Sequence, residues 1–259
     1  MASSHGLHRQ RERADSFGAA ARAYDQYRPR YPAQLIDDLV APGIDTALDV
    51  GAGTGISSRQ LADRRVDVLA LEPDPRMAEI AAEKGIRTQL AKFEDWDAAG
   101  QTFDLVLFAQ SFHWVDPDVA LPKVRRILSE RGRLALAWNR LFPVDPSRDD
   151  FAPIYRDYMD PGAPPATPAP TGGTRPGLDI GRVDDMLEDA GFAVAQRNYH
   201  RQSHLDRDQW LGLVFTYSNH LVLPARAARE LRKRLAERIG SGGVTVGDDT
   251  LLITARPRA

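Results

Sequence analysis

Thr46–Val50 (TALDV) runs as a short apolar strand into Gly51-Ala52-Gly53-Thr54-Gly55, followed by helix-forming residues from Gly55 to Asp63. This strand–loop–helix unit constrains the fold more than any other part of the chain. Glycines at alternate positions let backbone adopt left-handed conformations and pass close to a ligand. The helix start beyond them presents N–H groups that have no intrahelical partner. Such a unit needs a sheet to pack on, and the residues downstream provide one. Val66–Leu71, Ile86–Ala91, Phe103–Ala109 and Leu134–Trp138 read as strands, with Asp74–Lys84 and Pro117–Ser129 as helices between them and a turn at Arg131-Gly132. Strands separated by helices of this length imply β-α-β units and a parallel sheet.

Upstream, Ala19–Tyr27 reads as a helix. Arg28-Pro29 and Tyr31-Pro32 interrupt it, because the residue before a proline disfavours helix; Pro32 suits the first turn of a second helix ending near Val40. Downstream, nine of the 18 prolines fall between Pro143 and Pro176, so this stretch reads as an insertion, a mobile loop or a lid and not as regular core structure. Order returns with a helix at Ile180–Ala190, a strand at Phe192–His200, helical text at Asp206–Asn219 and Pro224–Ile239, and a last strand at Thr250–Ala255. Residues 1–14 are polar and read as a disordered start.

Composition narrows the chemistry. A net charge of −2 gives no global field for nucleic acid or anionic membrane. The absence of cysteine excludes disulfides, thiolate zinc sites, cysteine nucleophiles and cysteine-held clusters. No apolar run approaches the roughly 20 residues that span a bilayer. Met1–Arg13 lacks the apolar stretch of a signal peptide, so a cytoplasmic location is expected. The arginine-rich helix at Pro224–Ile239 reads as a solvated face, with a phosphate-binding surface as the alternative.

The glycine spacing separates two cofactor readings. A dinucleotide fingerprint, G-x-G-x-x-G, counted from Gly51 would need glycine where Ile56 stands. Glu72 ends the second strand 21 positions after Gly51, where a carboxylate can accept both hydroxyls of a ribose. As a residue next to Pro73 it can equally serve a helix start.

DVGAGTG, LEPDPRM, KFEDW and FDLVLFAQSFHWVD, in that order, resemble the motif series of class I S-adenosylmethionine (SAM)-dependent methyltransferases. YDQYRPRYP and QSFHW resemble the small-molecule subgroup typified by trans-aconitate methyltransferases. The resemblance covers residues 17–139 and implies a doubly wound α/β fold. That fold has a seven-stranded, mostly parallel sheet in the order 3-2-1-4-5-7-6, with Phe192–His200 sixth and Thr250–Ala255 seventh and antiparallel. It implies one domain over 15–259, with a helical and loop lid drawn from 15–40, 140–179 and 206–239. It also implies SAM as cofactor and S-adenosylhomocysteine as product.

By the same resemblance, Asp49, Gly51, Ala52, Gly53, Thr54 and Gly55 surround the methionine part of the cofactor. Glu72 takes the ribose hydroxyls, and Pro73 and Met77 pack beside the adenine. Phe93 and Glu94 read the adenine edge. Gln110 follows the fourth strand, and Tyr24 and Arg28 close over the methionine end, where Arg28 can pair a carboxylate.

Methyl transfer from a sulfonium is an in-line displacement that needs positioning and exclusion of water, with a general base for some acceptors. His113 is placed either as that base or as a packing residue beside Trp114. Trp114, Trp210 and Tyr217 are candidates to line an acceptor pocket, or else belong to the core beneath the lid. His200 and His204 lie on strand text, where their spacing does not converge ligands, so no metal site is expected. The implied activity is methylation of an O, N or C atom of a small molecule, with secondary metabolism as a setting. The implied protein is a monomer or homodimer with no nucleic-acid or membrane partner. The alternatives are a SAM-binding protein of the same fold that does not methylate, and an RNA methyltransferase. The second is disfavoured because AQSFHW replaces the Asn/Asp-Pro-Pro-aromatic motif of amino-group methylases.

Overall fold

A computed structural model describes residues 18–40, 43–158 and 180–258. The expectation of disorder over 1–14, residues 15–17 of the first lid segment and most of the proline-rich stretch (159–179) lie outside the described residues.

The sheet begins as the sequence requires. β1 (Thr46–Val50), β2 (Asp67–Glu72), β3 (Arg87–Leu90), β4 (Phe103–Ala109) and β5 (Leu128–Trp138) pair in parallel in the order β3-β2-β1-β4-β5. Side chains alternate between two buried faces, as expected for a sheet covered on both sides. Val106, Phe108, Leu134, Leu136 and Trp138 enter one apolar cluster; Leu105, Leu107, Ala135 and Ala137 enter the other. α1 (Ala21–Tyr27) and α2 (Ala33–Leu39) precede the sheet, and α3 (Ile56–Ala62), α4 (Pro75–Glu83) and α5 (Pro117–Ile127) connect its strands. α4 and α5 begin with Asp74 and Asp116, whose side chains accept from Arg76 N–H and Asp118 N–H, with proline at the first helical position.

β7 (Phe192–Leu205) and β8 (Val244–Pro257) complete the sheet as antiparallel strands of 14 residues each, longer than the sequence patterns suggest. Leu251–Ala255 of β8 pairs with β5, and β7 runs along the opposite edge of β8 for its full length. Seven strands thus follow the anticipated order, β3-β2-β1-β4-β5-β8-β7. An eighth strand is unanticipated. β6 (Leu141–Asp145) continues past β5 on the same edge of β8, pairing with Thr245–Asp248.

β6 and α6 (Arg148–Tyr155) correct the reading of the proline-rich stretch as devoid of regular structure. Proline is tolerated in β6 because only one edge of the strand is paired. α6 is started by a capping box between Ser147 and Asp150, and Phe151 is buried. Helical text at Asp206–Asn219 resolves into α8 (Arg207–Val214) and α9 (Ser218–Leu221), separated by Phe215–Tyr217. α7 (Ile180–Asp189) precedes β7, and α10 (Ala225–Ile239) packs Leu231, Leu235 and Ile239 on Trp210, Leu213 and Phe151. The Arg131-Gly132 turn is an excursion in β5, across which the register with β4 jumps between Leu128 and Arg133.

Candidate functional site

The glycine loop joins β1 to α3 at the carboxyl end of the sheet, where open α/β sheets bind ligands. Gly51 and Gly55 need to be glycine twice over. Both have positive φ (+64° and +74°), and a Cβ would stand 2.7 Å from Ser111 Cβ at Gly51 and 3.0 Å from Ala81 Cβ at Gly55. The loop bends back onto β2, with Gly51 N–H and Ala52 N–H donating to the Leu71 carbonyl at 2.8 and 3.1 Å.

Two buried carboxylates support this loop, and neither is paired with a cation among the described residues. Glu72, at the end of β2, accepts from Gly53 N–H (2.8 Å) and Asp74 N–H (2.9 Å), one on each oxygen. Burial outweighs these bonds and pushes its pKa up to about 7. Asp49, on β1, is fully buried. Its Oδ2 accepts from the Ser57 and Ser58 hydroxyls at 2.7 and 2.6 Å, while its Oδ1 is buried with no partner. Burial raises its pKa as well.

A cleft of about 380 Å³ opens beside the loop. Its walls bring together five of the anticipated cofactor residues: Tyr24, Arg28, Gly51, Ala52 and Gln110. Tyr31 and Asn139 also line it, and sequence reasoning missed both. The YRPRYP text carried a signal for Tyr31, but one that reads first as helix punctuation. Gln110 takes a left-handed backbone (φ +63°), a costly conformation for a side chain of this size, and its amide donates to the Asn139 carbonyl at 3.1 Å. Asn139, just beyond β5, also accepts from the Thr250 hydroxyl (2.8 Å) and donates to the Pro29 carbonyl (3.3 Å).

The N-terminal helix is fastened over the cleft from both sides. Lys84 joins the Asp25 carboxylate of α1 to the Thr54 carbonyl of the glycine loop. Arg28 lies between the rings of Tyr24 and Tyr217, 4.7 and 4.4 Å from their centroids, and donates to the Thr216 hydroxyl and carbonyl, each at 2.9 Å. Arg28 therefore ties α1 to the segment between α8 and α9.

Other anticipated residues lie outside this cleft. Met77 is buried under α1 with Ala21 and Ile80, and the Phe93 ring is buried in the core, edge-on to Phe108 at 5.5 Å. Pro73 is exposed at the start of α4. Glu94 accepts from Asp116 N–H (3.0 Å), and the Phe93–Trp96 turn is held from behind by Lys123, whose ammonium meets the Phe93, Glu94 and Trp96 carbonyls. His113 is half-buried, its ring 4.8 Å from that of Trp114. Trp210 takes the second of its two readings: it is 1% exposed and stacked on Phe151 at 6.3 Å, inside the C-terminal core. Tyr217 is engaged with Arg28. Among the described residues no group of three or more His, Asp or Glu side chains could hold a metal ion, and no helix is long and apolar enough to cross a membrane.

The fold and this loop define a class. Residues 48–136 match the methyltransferase domain family. An uncharacterized methyltransferase of Mycobacterium tuberculosis is 41% identical over 131 residues, 50% of this chain and 54% of its own length. The chain thus spans about half the length of the curated relatives it matches. Among solved structures, a provisionally named type II methyltransferase of Anaeromyxobacter dehalogenans superposes with a TM-score of 0.62 at 22% identity, over 90% of this chain and all of that one. A phosphoethanolamine N-methyltransferase of Haemonchus contortus, solved with S-adenosylhomocysteine, gives 0.53 at 13% identity, over 93% of this chain and 58% of its own. The chain has the Rossmann-like fold of class I methyltransferases.

Proposed function

We propose that this chain transfers a methyl group from SAM to an O, N or C atom of a small-molecule acceptor. The observation that carries this reading is Glu72. A carboxylate buried at the end of β2, held by backbone N–H groups and paired with no cation among the described residues, retains lone pairs for two hydroxyl donors. A ribose supplies two adjacent hydroxyls. The orphaned Asp49 Oδ1 gives a second point of fit, because a buried acceptor without a partner suits the ammonium at the amino-acid end of the cofactor, directly or through water.

The cofactor supplies an activated methyl group on a sulfonium. The chain's own residues bind and orient. Gly51, Ala52, Gly53, Thr54 and Gly55 leave room at the amino-acid end, Arg28 offers a cation for its carboxylate, and the Phe93 backbone N–H and the Glu94 carboxylate would read the adenine edge, with the Phe93 ring itself in the core. α1 and the segment around Thr216, joined through Arg28, form a lid that excludes water. His113 is the candidate base for an acceptor that must lose a proton. The YDQYRPRYP and QSFHW motifs support the small-molecule subgroup resembling trans-aconitate methyltransferases.

Calorimetric titration with SAM, S-adenosylhomocysteine and NAD tests the reading. The first two are expected to bind and NAD is not; binding of NAD alone would overturn it. Glu72→Ala should weaken SAM binding by roughly 1–3 kcal/mol, since the ribose donors lose a charged acceptor. His113→Ala should keep SAM affinity and slow turnover about 100-fold if His113 is the base, and full activity would make it a packing residue.

A further inference from the structure

Sheet order places the parts of the site in sequence. Glu72 stands on β2, Gly51 after β1, Gln110 after β4 and Asn139 after β5. With the ribose at Glu72 and the amino-acid end at the glycine loop, the next space along the sheet lies over β4 and β5. Tyr31, Gln110 and Asn139 wall one cleft with Tyr24, Arg28, Gly51 and Ala52, and Gln110 and Asn139 mark its β4–β5 side.

Tyr31 is a cleft residue that is rigidly held and left with unused polar capacity. Its backbone N–H donates to Gln60 Oε1 and its carbonyl accepts from Gln60 Nε2, each at 2.9 Å. Its ring is 6% exposed and packs in the cluster of Leu35, Leu39 and Leu61. Its hydroxyl has no hydrogen-bond partner among the described residues, although Tyr24, Arg28, Asp49 and Asp248 all lie within its electrostatic reach. A buried phenol normally finds a partner from the protein. The Tyr31 hydroxyl is not among the fully enclosed polar atoms, so it opens to the cleft, from which a ligand can supply its partner.

We propose that the Tyr31 hydroxyl faces the point of methyl transfer and orients the methyl acceptor by a hydrogen bond to an oxygen or nitrogen of that acceptor. This rests on the methyltransferase reading above and goes beyond it by assigning the acceptor side of the cleft. Burial holds the hydroxyl protonated, so Tyr31 positions the acceptor and removes no proton from it. The acceptor class is correspondingly one with a lone pair at or beside the methylated atom, which disfavours a purely hydrocarbon acceptor.

The test uses two cofactor analogues. S-adenosylhomocysteine has nothing at the position of the transferred methyl group, whereas sinefungin carries an amine there. Tyr31→Phe keeps the ring and the Gln60 clasp. Titration of the full chain should show sinefungin affinity falling about tenfold, the scale of one hydrogen bond to a charged group, with S-adenosylhomocysteine affinity unchanged within about twofold. Equal weakening of both analogues would make Tyr31 structural and overturn the assignment. No change in either would place the hydroxyl away from the transfer point and overturn it as well. If the unmodified chain binds neither analogue, the methyltransferase reading itself fails, a result distinct from both.

Discussion

Four acidic side chains are buried in this sheet, and the two halves treat them in opposite ways. In β8, Asp248 is 5% exposed and Asp249 7%; the first is paired with Arg201 and the second with Arg140. In β1 and β2, Asp49 and Glu72 are buried as deeply, at 0% and 7%, yet meet only hydroxyls and N–H groups. Burying a carboxylate without a cation is expensive, and the raised pKa of both groups shows it. The C-terminal half spends arginines to make its acids part of the structure. The N-terminal half leaves its acids as open acceptors, as expected where a ligand completes the hydrogen bonding.

The strongest way to break this comparison is to remove one acid from each half. Asp248→Ala should destabilise the fold by about 2 kcal/mol, because it removes the buried carboxylate that Arg201 bonds and that shares the Thr250 hydroxyl proton with Asn139. Glu72→Gln sets an amide donor against one of the two N–H groups but relieves the burial of a charge, so its net cost to the ligand-free protein at pH 7.5 should be small. Urea unfolding of both variants decides the matter; equal losses would mean that Glu72 is structural too.

The pH response sharpens the contrast. Burial pushes the Glu72 pKa up from an ordinary 4.5 to about 7 in the folded protein, so the native state binds the extra proton. The stability it contributes is complete below pH 4.5 and is lost as pH rises through 7, by up to about 3 kcal/mol. Unfolding free energies between pH 4.5 and 7.5 should show this slope in the parent protein and a flatter curve in Glu72→Gln. Ribose recognition by the ionised carboxylate should run the other way, with S-adenosylhomocysteine affinity rising over the same interval.

How much of this was legible follows the same divide. The glycine loop and the strands on either side were readable because each element carries its own local reason. Alternate glycines meet a backbone that needs positive φ, and continuous apolar runs meet a sheet buried on both faces. β6 and α6 were hidden because Pro143 and Pro153 mask a strand that pairs on one edge and a helix capped by Ser147. Trp210 stayed open between pocket and core because an aromatic in amphipathic helical text looks the same whether it lines a pocket or fills a core. Tyr31 and Asn139 were missed because their roles come from Gln60, Thr250 and Pro29, partners 29, 111 and 110 residues away in the chain.

The C-terminal half should also respond to acid in the opposite sense to Glu72. His220, 2% exposed beside Tyr155 and Phe215, has its pKa lowered to about 3 by burial. A depressed folded pKa gives stability that is present above pH 6.5 and lost as pH falls toward 3. At pH 5 the loss is about 2 kcal/mol. Hydrogen exchange should show α8 and α9 losing protection between pH 7 and 5 while β4 does not. Uniform behaviour across both regions would mean that His220 is reached by water or that the chain opens only as a whole.

The smallest effect tests whether the two halves are joined at the cleft. Thr250 on β8 bonds both Asn139 Oδ1 and Asp248 Oδ1 at 2.8 Å, and Asn139 in turn holds Pro29 and Gln110. Thr250→Val keeps the shape and β preference of the side chain but removes the one hydroxyl proton that the two buried acceptors share, at a cost of about 1–2 kcal/mol. Global stability alone would not distinguish a local loss from a transmitted one. Exchange of the Tyr24–Arg28 amides does, because those residues connect to Thr250 through Pro29 and Asn139 on one side and through Arg30, Arg201 and Asp248 on the other. Faster exchange there than in β2 would show that the arginine-paired half holds the lid in place; equal change in both segments would make Thr250 an ordinary core contact.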